Sequence, residues 1–307
     1  MVRIRNHMCY TILRNEVTYL MKKLYLFLIL FSILPLIGCQ QKHFDIVTTL
    51  FPQYQISKEI VGDNLTVSLL AAPGVDTHHF EPSSKNLVEI INSSLFIYTS
   101  NSMEPWIKDI EKGKGIYLNL FNNIKTTNLD ILDDVHFFFS IKYQIEMVDI
   151  ILKEIIAIDG DNKDYYLANA TTLKTKLALL SEKFEDLKNQ NYYFIGHNVF
   201  NSFNQQTKIN FIALLDEFTD EVNPSSSELE IMFNNLRDNE IKVLFYDSVT
   251  GIKMAENFQT DFGKKSYYIT ILPIHTFHTV NKDIFNNLSS IADLWEINYL
   301  NLKEGIQ

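Results

Sequence analysis

The sequence predicts an α/β fold of two Rossmann-like lobes, each a mostly parallel sheet flanked by helices, bridged by one long α-helix. Three observations carry this. Short β-branched, apolar runs alternate with helical patterns near the start of the chain and again near its end. Between them, Asn162 to Gln190 runs without Gly or Pro, and Tyr166, Ala170, Leu173, Leu177, Leu180, Phe184 and Leu187 recur at alternating spacings of four and three. That is one apolar stripe along a single helix. Finally, 307 residues, 46% of them hydrophobic, suffice for two packed domains.

The elements follow in order. Phe44–Phe51 (FDIVTTLF) reads as a buried strand, and Tyr54–Gly62 as a helix with a glycine stop. Leu65–Leu70 is a second strand, followed by a loop, AAPGVDTHHFEPS. Ser84–Ser94 reads as a helix, and Leu95–Ser100 and Gly115–Leu120 as strands. Ser140–Ile158 is helical and is interrupted at Gly160. The second alternation has strands at Tyr192–His197, Asn210–Leu215, Ile241–Asp247 and Ser266–Leu272. Its helices are Ser225–Asn239, where Ser227 precedes Glu230 by three as in a capping box, and Gly251–Gly263. Asn281–Gly305 closes the chain as one helix. The expected boundaries are a first lobe at 44–160, a linking helix at 161–189 and a second lobe at 190–307.

Residues 21–39 (MKKLYLFLILFSILPLIGC) have the layout of a secretory signal: Lys22 and Lys23, an apolar run, then Pro35 and Gly38. The uncharged stretch is too short for a membrane-spanning helix. Residues 1–20 read as an upstream extension, 1–38 as removed, and 39–43 as a tether. The ending LIGC resembles a bacterial lipobox, which makes Cys39 the expected lipidation site and the location extracytoplasmic, anchored to the cell membrane. The chain has two cysteines, Cys9 and Cys39, so a metal in the body must be held by His, Asp or Glu. Without residues 1–38, 22 basic and 36 acidic side chains remain, which excludes nucleic acid as a partner.

Six of the eight histidines lie in the body of the chain: His78, His79, His136, His197, His275 and His278. His78 and His79 follow a strand, His197 ends one, and His275 stands three residues beyond one. Ligands of open α/β sheets gather beyond the carboxyl ends of strands. Four histidines, two from each lobe, would suit the tetrahedral preference of zinc, although no local motif such as HExxH ties them together. His275 and His278 are three apart, but in a loop, where helical adjacency does not apply.

Thr48–Ile107 closely resembles the first lobe of the zinc- and manganese-binding lipoproteins of bacterial ABC importers, the ZnuA/TroA/AdcA family. The most specific segment is G-x-(D/E)-x-H-x-(F/Y)-E-P, present as Gly74 to Pro82. The resemblance places the first ligand on His78, with His79 a bystander. The second, in D-P-H-x-W-x-D-P, falls on His136, where Asp134 and His136 are kept but the Pro, Trp, Asp and Pro are replaced. The third falls on His197 in IGHNVFNSF, and a histidine there is common in zinc members. The fourth ligand of the family is a carboxylate near a Pro, and His275 holds that place here. Glu81 and Asp247 are candidates to hold ligand ring N–H groups.

The resemblance implies a solute-binding lipoprotein that captures Zn2+, or alternatively Mn2+, between two lobes and delivers it to the permease and ATPase of an ABC importer. It implies a monomer with no catalytic step. A metal-stabilised adhesin and a secreted zinc hydrolase are the rival readings, and the second lacks a general-base motif beside the histidines. A closed ligand shell suits carriage, since catalytic zinc keeps a position open for water. The long helix should act as a spine that limits motion between the lobes.

Overall fold

In a computed structural model, residues 21–23, 43–75, 77–128, 134–215 and 225–306 are described. The chain divides into two units, Met1–Lys42 and His43–Gln307. In the first, residues 21–23 are helical, and the rest of the signal segment, with Cys39, lies outside the described residues. No helix among the described residues is long and apolar enough to cross a membrane.

The second unit holds two parallel four-stranded sheets. β1 (Ile46–Thr48), β2 (Val67–Leu69), β3 (Leu95–Tyr98) and β4 (Ile116–Asn119) are ordered β2-β1-β3-β4. Ile46 lies opposite Val67 on one side and Leu95 on the other, so β1 is central and wholly buried. A strand covered on both faces does not alternate between buried and exposed, and Ile46, Val47 and Thr48 are all buried. β5 (Asn191–His197), β6 (Asn210–Leu215), β7 (Val243–Asp247) and β8 (Thr270–Ile274) repeat the plan in the order β6-β5-β7-β8. The crossovers of the first sheet are α1 (Phe51–Val61) and α2 (Ser84–Asn92), and α3 (Leu120–Thr127) follows β4. Those of the second are α6 (Asn201–Thr207), α7 (Ser226–Asp238) and α8 (Ile252–Lys264).

Between the sheets lie α4 (Ile141–Ile158) and the long α5 (Lys163–Lys183), which tightens into a 3₁₀ turn at Phe184–Leu187. All seven residues of the expected stripe are buried. α5 packs against α4 and α1, and against α10 (Ile291–Glu304) from the end of the chain. One apolar core contains Ile46 and Leu95 of the first sheet, the α5 stripe, and Tyr192, Phe194 and Ile274 of the second.

The terminal segment is two helices, not one. α9 (Lys282–Asn287) stops, and α10 begins after Ser290. The Ser290 hydroxyl accepts from Ala292 N–H, and Asp293 returns a carboxylate oxygen to Ser290 N–H. This capping box starts a new helix inside a pattern whose apolar spacing reads straight through. Glu59 of α1 reinforces it, accepting from the Ser290 hydroxyl at 2.7 Å and from Ile291 N–H at 2.7 Å.

Candidate metal centre

Loops beyond the carboxyl ends of β2 and β8, and the segment 134–140 leading into α4, bring three histidines together. One ring nitrogen from each of His78, His136 and His278 lies within 4.8 Å of the others. The ring centroids are 5.4 Å apart for His78 and His136, 5.0 Å for His78 and His278, and 4.9 Å for His136 and His278. His136 and His278 are buried and His78 half-buried. Phe138 stands edge-on to His278 at 5.2 Å, which gives the cluster an apolar wall.

Each loop has a local cause. Gly74 turns the first one with φ of +84°, a conformation that glycine adopts without cost, and its N–H donates to Thr279 Oγ1 at 3.0 Å. The His78 loop is thereby tied next to His278. Asp76 of the same motif lies outside the described residues, and His79 is exposed. Glu81 is exposed too, and Ser83 rather than Glu81 caps α2.

Asp134 shapes the second loop. One carboxylate oxygen accepts His136 N–H at 2.9 Å and lies 3.7 Å from His136 Nδ1. The other accepts Ser202 N–H at 3.1 Å and the Ser202 hydroxyl at 2.7 Å, at the start of α6. Phe139 is inserted among rings of the second lobe, 4.9 Å from Phe200, 5.1 Å from Trp295 and 5.3 Å from Phe203. Gln144 ties the same segment from behind: it donates to Phe138 O and accepts from Trp295 Nε1, both at 2.9 Å. His136 precedes the long helix in sequence, yet its loop is packed into the second lobe.

His197 is the last residue of β5 and pairs with Leu215, and its side chain lies outside the described part of the structure. The strand slips register between Phe194 and His197. Gly196 has φ of +153°, and a Cβ there would come within 2.4 Å of the Phe194 ring.

The β8 loop differs from expectation. His275 is buried, but its Nδ1 meets Ser248 Oγ at 2.6 Å, and both its N–H and its carbonyl are clamped by the Asn298 amide of α10. Burial holds the His275 imidazole below the usual histidine range, against the opposing pull of the Asp247 carboxylate, so the ring is neutral at pH 7. Three residues on, His278 joins the cluster. Phe277 between them has φ of +69°, a strained choice for a bulky side chain. It is offset by full burial of the ring, 4.7 Å from Trp295 and 5.8 Å from Phe139. The left-handed turn reverses the chain and delivers His278 to the cleft.

Behind His278 stands Thr276, whose hydroxyl lies 3.0 Å from His278 Nδ1 and donates to Asp247 Oδ2. Asp247 is held in turn by N–H groups of Val249 at 2.9 Å and Thr250 at 2.7 Å. Asp247 therefore serves a histidine ring through a hydroxyl. Nothing in the sequence separates His278 from His275, because both follow β8. The left-handed Phe277 and the Asn298 clamp separate them, and neither has a local sequence signature.

Three imidazoles whose nitrogens meet at one point form, when neutral, a donor set for a borderline transition metal, with zinc, copper, nickel and iron all suited to it. Zinc–nitrogen bonds of about 2.0–2.1 Å would place ligand nitrogens roughly 3.4 Å apart, so small ring movements close the group on an ion. The chain is 25% identical over 250 residues to the high-affinity zinc uptake system protein ZnuA of Bacillus subtilis, covering 74% of this chain and 78% of that one. It is 24% identical over 279 residues to the zinc-binding lipoprotein AdcA of Streptococcus pneumoniae, covering 80% of this chain and 54% of that one. The fold matches the Zn(II)-bound ZnuA-like domain of the pneumococcal AdcA with a TM-score of 0.71 at 21% identity, over 86% of this chain and 99% of that domain. The model of the zinc-uptake complex component A family, ZnuA, periplasmic, matches residues 46–293, which is most of the chain; the protein belongs to that family.

Proposed function

We propose that this protein captures Zn2+ in the cleft between its lobes and hands it to the permease of an ABC importer, driven by that importer's ATPase. The observation that carries the reading is the convergence of His78, His136 and His278 on one point, in a chain of the zinc-uptake family. His197, at the carboxyl end of β5, is the fourth donor. In this reading His278 takes the place that the sequence suggests for His275.

Each ligand must be neutral to offer a lone pair, so capture weakens as the pH falls through the histidine range and protons compete with the ion. Four protein donors would leave no position for an activated water, and the site carries and releases its ion without a chemical step. Lipidation at Cys39 keeps the protein at the outer face of the membrane beside its permease, and the 36 acidic side chains of the mature chain draw cations toward the surface. The manganese alternative is disfavoured by a donor set of imidazoles, since Mn2+ prefers oxygen ligands.

The test has two parts. Metal analysis of purified protein should find one zinc per chain, lost on His136→Ala. A strain lacking the gene, with no second zinc importer, should fail to grow on chelator-treated medium and recover with added zinc. Unimpaired growth of that strain would sink the transport reading.

A further inference from the structure

Among the described residues, no carboxylate belongs to the His78, His136 and His278 cluster, yet one is present one group further back. Thr276 has a single hydroxyl proton, and it is committed to Asp247 Oδ2. Asp247 Oδ1 accepts two backbone N–H groups and the Thr250 hydroxyl, which fixes this carboxylate as an acceptor. Toward His278 Nδ1, 3.0 Å away, the Thr276 oxygen can therefore only accept. That places the ring proton on Nδ1 and leaves the lone pair on Nε2, a buried atom. A neutral imidazole has one donor and one acceptor nitrogen, and the bond made by one decides what the other offers a metal.

We propose that Thr276, backed by Asp247, is the positioning residue for the metal ligand His278. It fixes the tautomer that presents Nε2 to the ion, and it sets a negative charge one hydroxyl behind a ligand that has none. Asp134, 3.7 Å from His136 Nδ1, supplies a second carboxylate, beside another ring of the cluster. The compensation usually made by a ligand carboxylate is thus moved back by one layer. This deepens the zinc-capture reading and rests on it.

Three variants separate the parts. Thr276→Val keeps the shape and removes the hydroxyl. Thr276→Ser restores the hydroxyl. Asp247→Asn can direct its amide at the Thr276 oxygen, which turns the hydroxyl to donate to Nδ1 and moves the His278 proton to Nε2. Long-range proton–nitrogen correlation spectra of metal-free purified protein report the tautomer directly, and chelator competition reports zinc affinity. We expect wild type and Thr276→Ser to show His278 protonated on Nδ1 and to bind alike. Thr276→Val should lose the tautomer preference, Asp247→Asn should invert it, and both should bind zinc about 10–100-fold more weakly. A His278 ring still protonated on Nδ1 in Thr276→Val, with zinc affinity unchanged, would overturn the proposal. If wild type takes up no zinc, the capture reading fails and the ligand role of His278 with it, while the spectra still decide whether Thr276 and Asp247 set the tautomer.

Discussion

His275 and His278 are three residues apart, both buried, and play different parts. His275 is tied into the second lobe by Ser248 and Asn298, while His278 shares a point with His78 and His136. His278→Ala should therefore lower zinc affinity by more than about 100-fold, beyond what loss of an outer partner costs. His275→Ala should leave affinity near wild type but reduce stability by about 1–3 kcal/mol, the cost of losing a buried ring and its bond to Ser248. Competition titration and urea unfolding of both variants separate the two effects. A larger loss of affinity for His275→Ala than for His278→Ala would return the ligand role to the position that the family resemblance indicates. His78 and His136 were legible in the sequence because motif residues flank them: Gly74, Glu81 and Pro82 for the first, Asp134 for the second. His278 was not, since its place depends on a left-handed Phe277 held down by Trp295 and Phe139, contacts made across the whole molecule.

The strands and the long helix were readable because their signal is periodic and local: continuous apolar runs for buried parallel strands, a four-three stripe for α5. The short α6 and the break between α9 and α10 were not, because both depend on partners distant in sequence. Asp134 receives the first turn of α6, and Glu59 receives the start of α10. The segment 134–140 follows the same logic. Phe139→Ala should cost about 3–5 kcal/mol, as for other buried aromatic rings, and should weaken zinc binding by releasing His136. Its unfolding midpoint and its zinc affinity should fall together, whereas Phe258→Ala, in the outer core of the second lobe, should lower only the midpoint. Glu59 offers a pH test of an element boundary. Burial holds its carboxyl above the ordinary range, against the bonds from Ser290, Ile291 and Gln55 and the charge of Lys176. A group raised in the fold adds stability below its unfolded value, near 4.3, and loses it as the pH climbs through the folded value. Glu59→Gln keeps an acceptor for Ile291 N–H without a charge. It should be at least as stable as wild type at pH 7.5, with the advantage vanishing toward pH 4, in urea titrations at both pH values. Glu59→Ala should be less stable at both, by about 1–3 kcal/mol.

At the scale of the molecule, the lobes are not two bodies on a hinge. One apolar core runs from Ile46 and Leu95 through the α5 stripe to Phe194 and Ile274, and Phe139 carries part of the first half of the sequence into the second lobe. Opening that seam would expose aromatic surface at about 25 cal/mol per Å2, a cost that rises with every ring uncovered. Ligand placement adds to the argument. His136 and His278 are both held by the second lobe, and His78 alone comes from a loop of the first, tied across by Gly74 to Thr279. On the proposed ligand set, release of the ion requires only that the His78 loop withdraw from His136, His197 and His278, which stay with the second lobe. Scattering profiles of zinc-loaded and chelator-treated protein should superimpose, with no change in radius of gyration beyond error. Zinc at a free concentration of 100 times Kd should still stabilise the fold by about 2.7 kcal/mol, because it binds only the assembled site. Hydrogen exchange should locate the difference in the loop around Gly74 and His78, with the 134–140 segment and β8 equally protected in both states. An increase in radius on removing zinc, with loss of protection along α5, would show instead that the lobes part and the shared core opens.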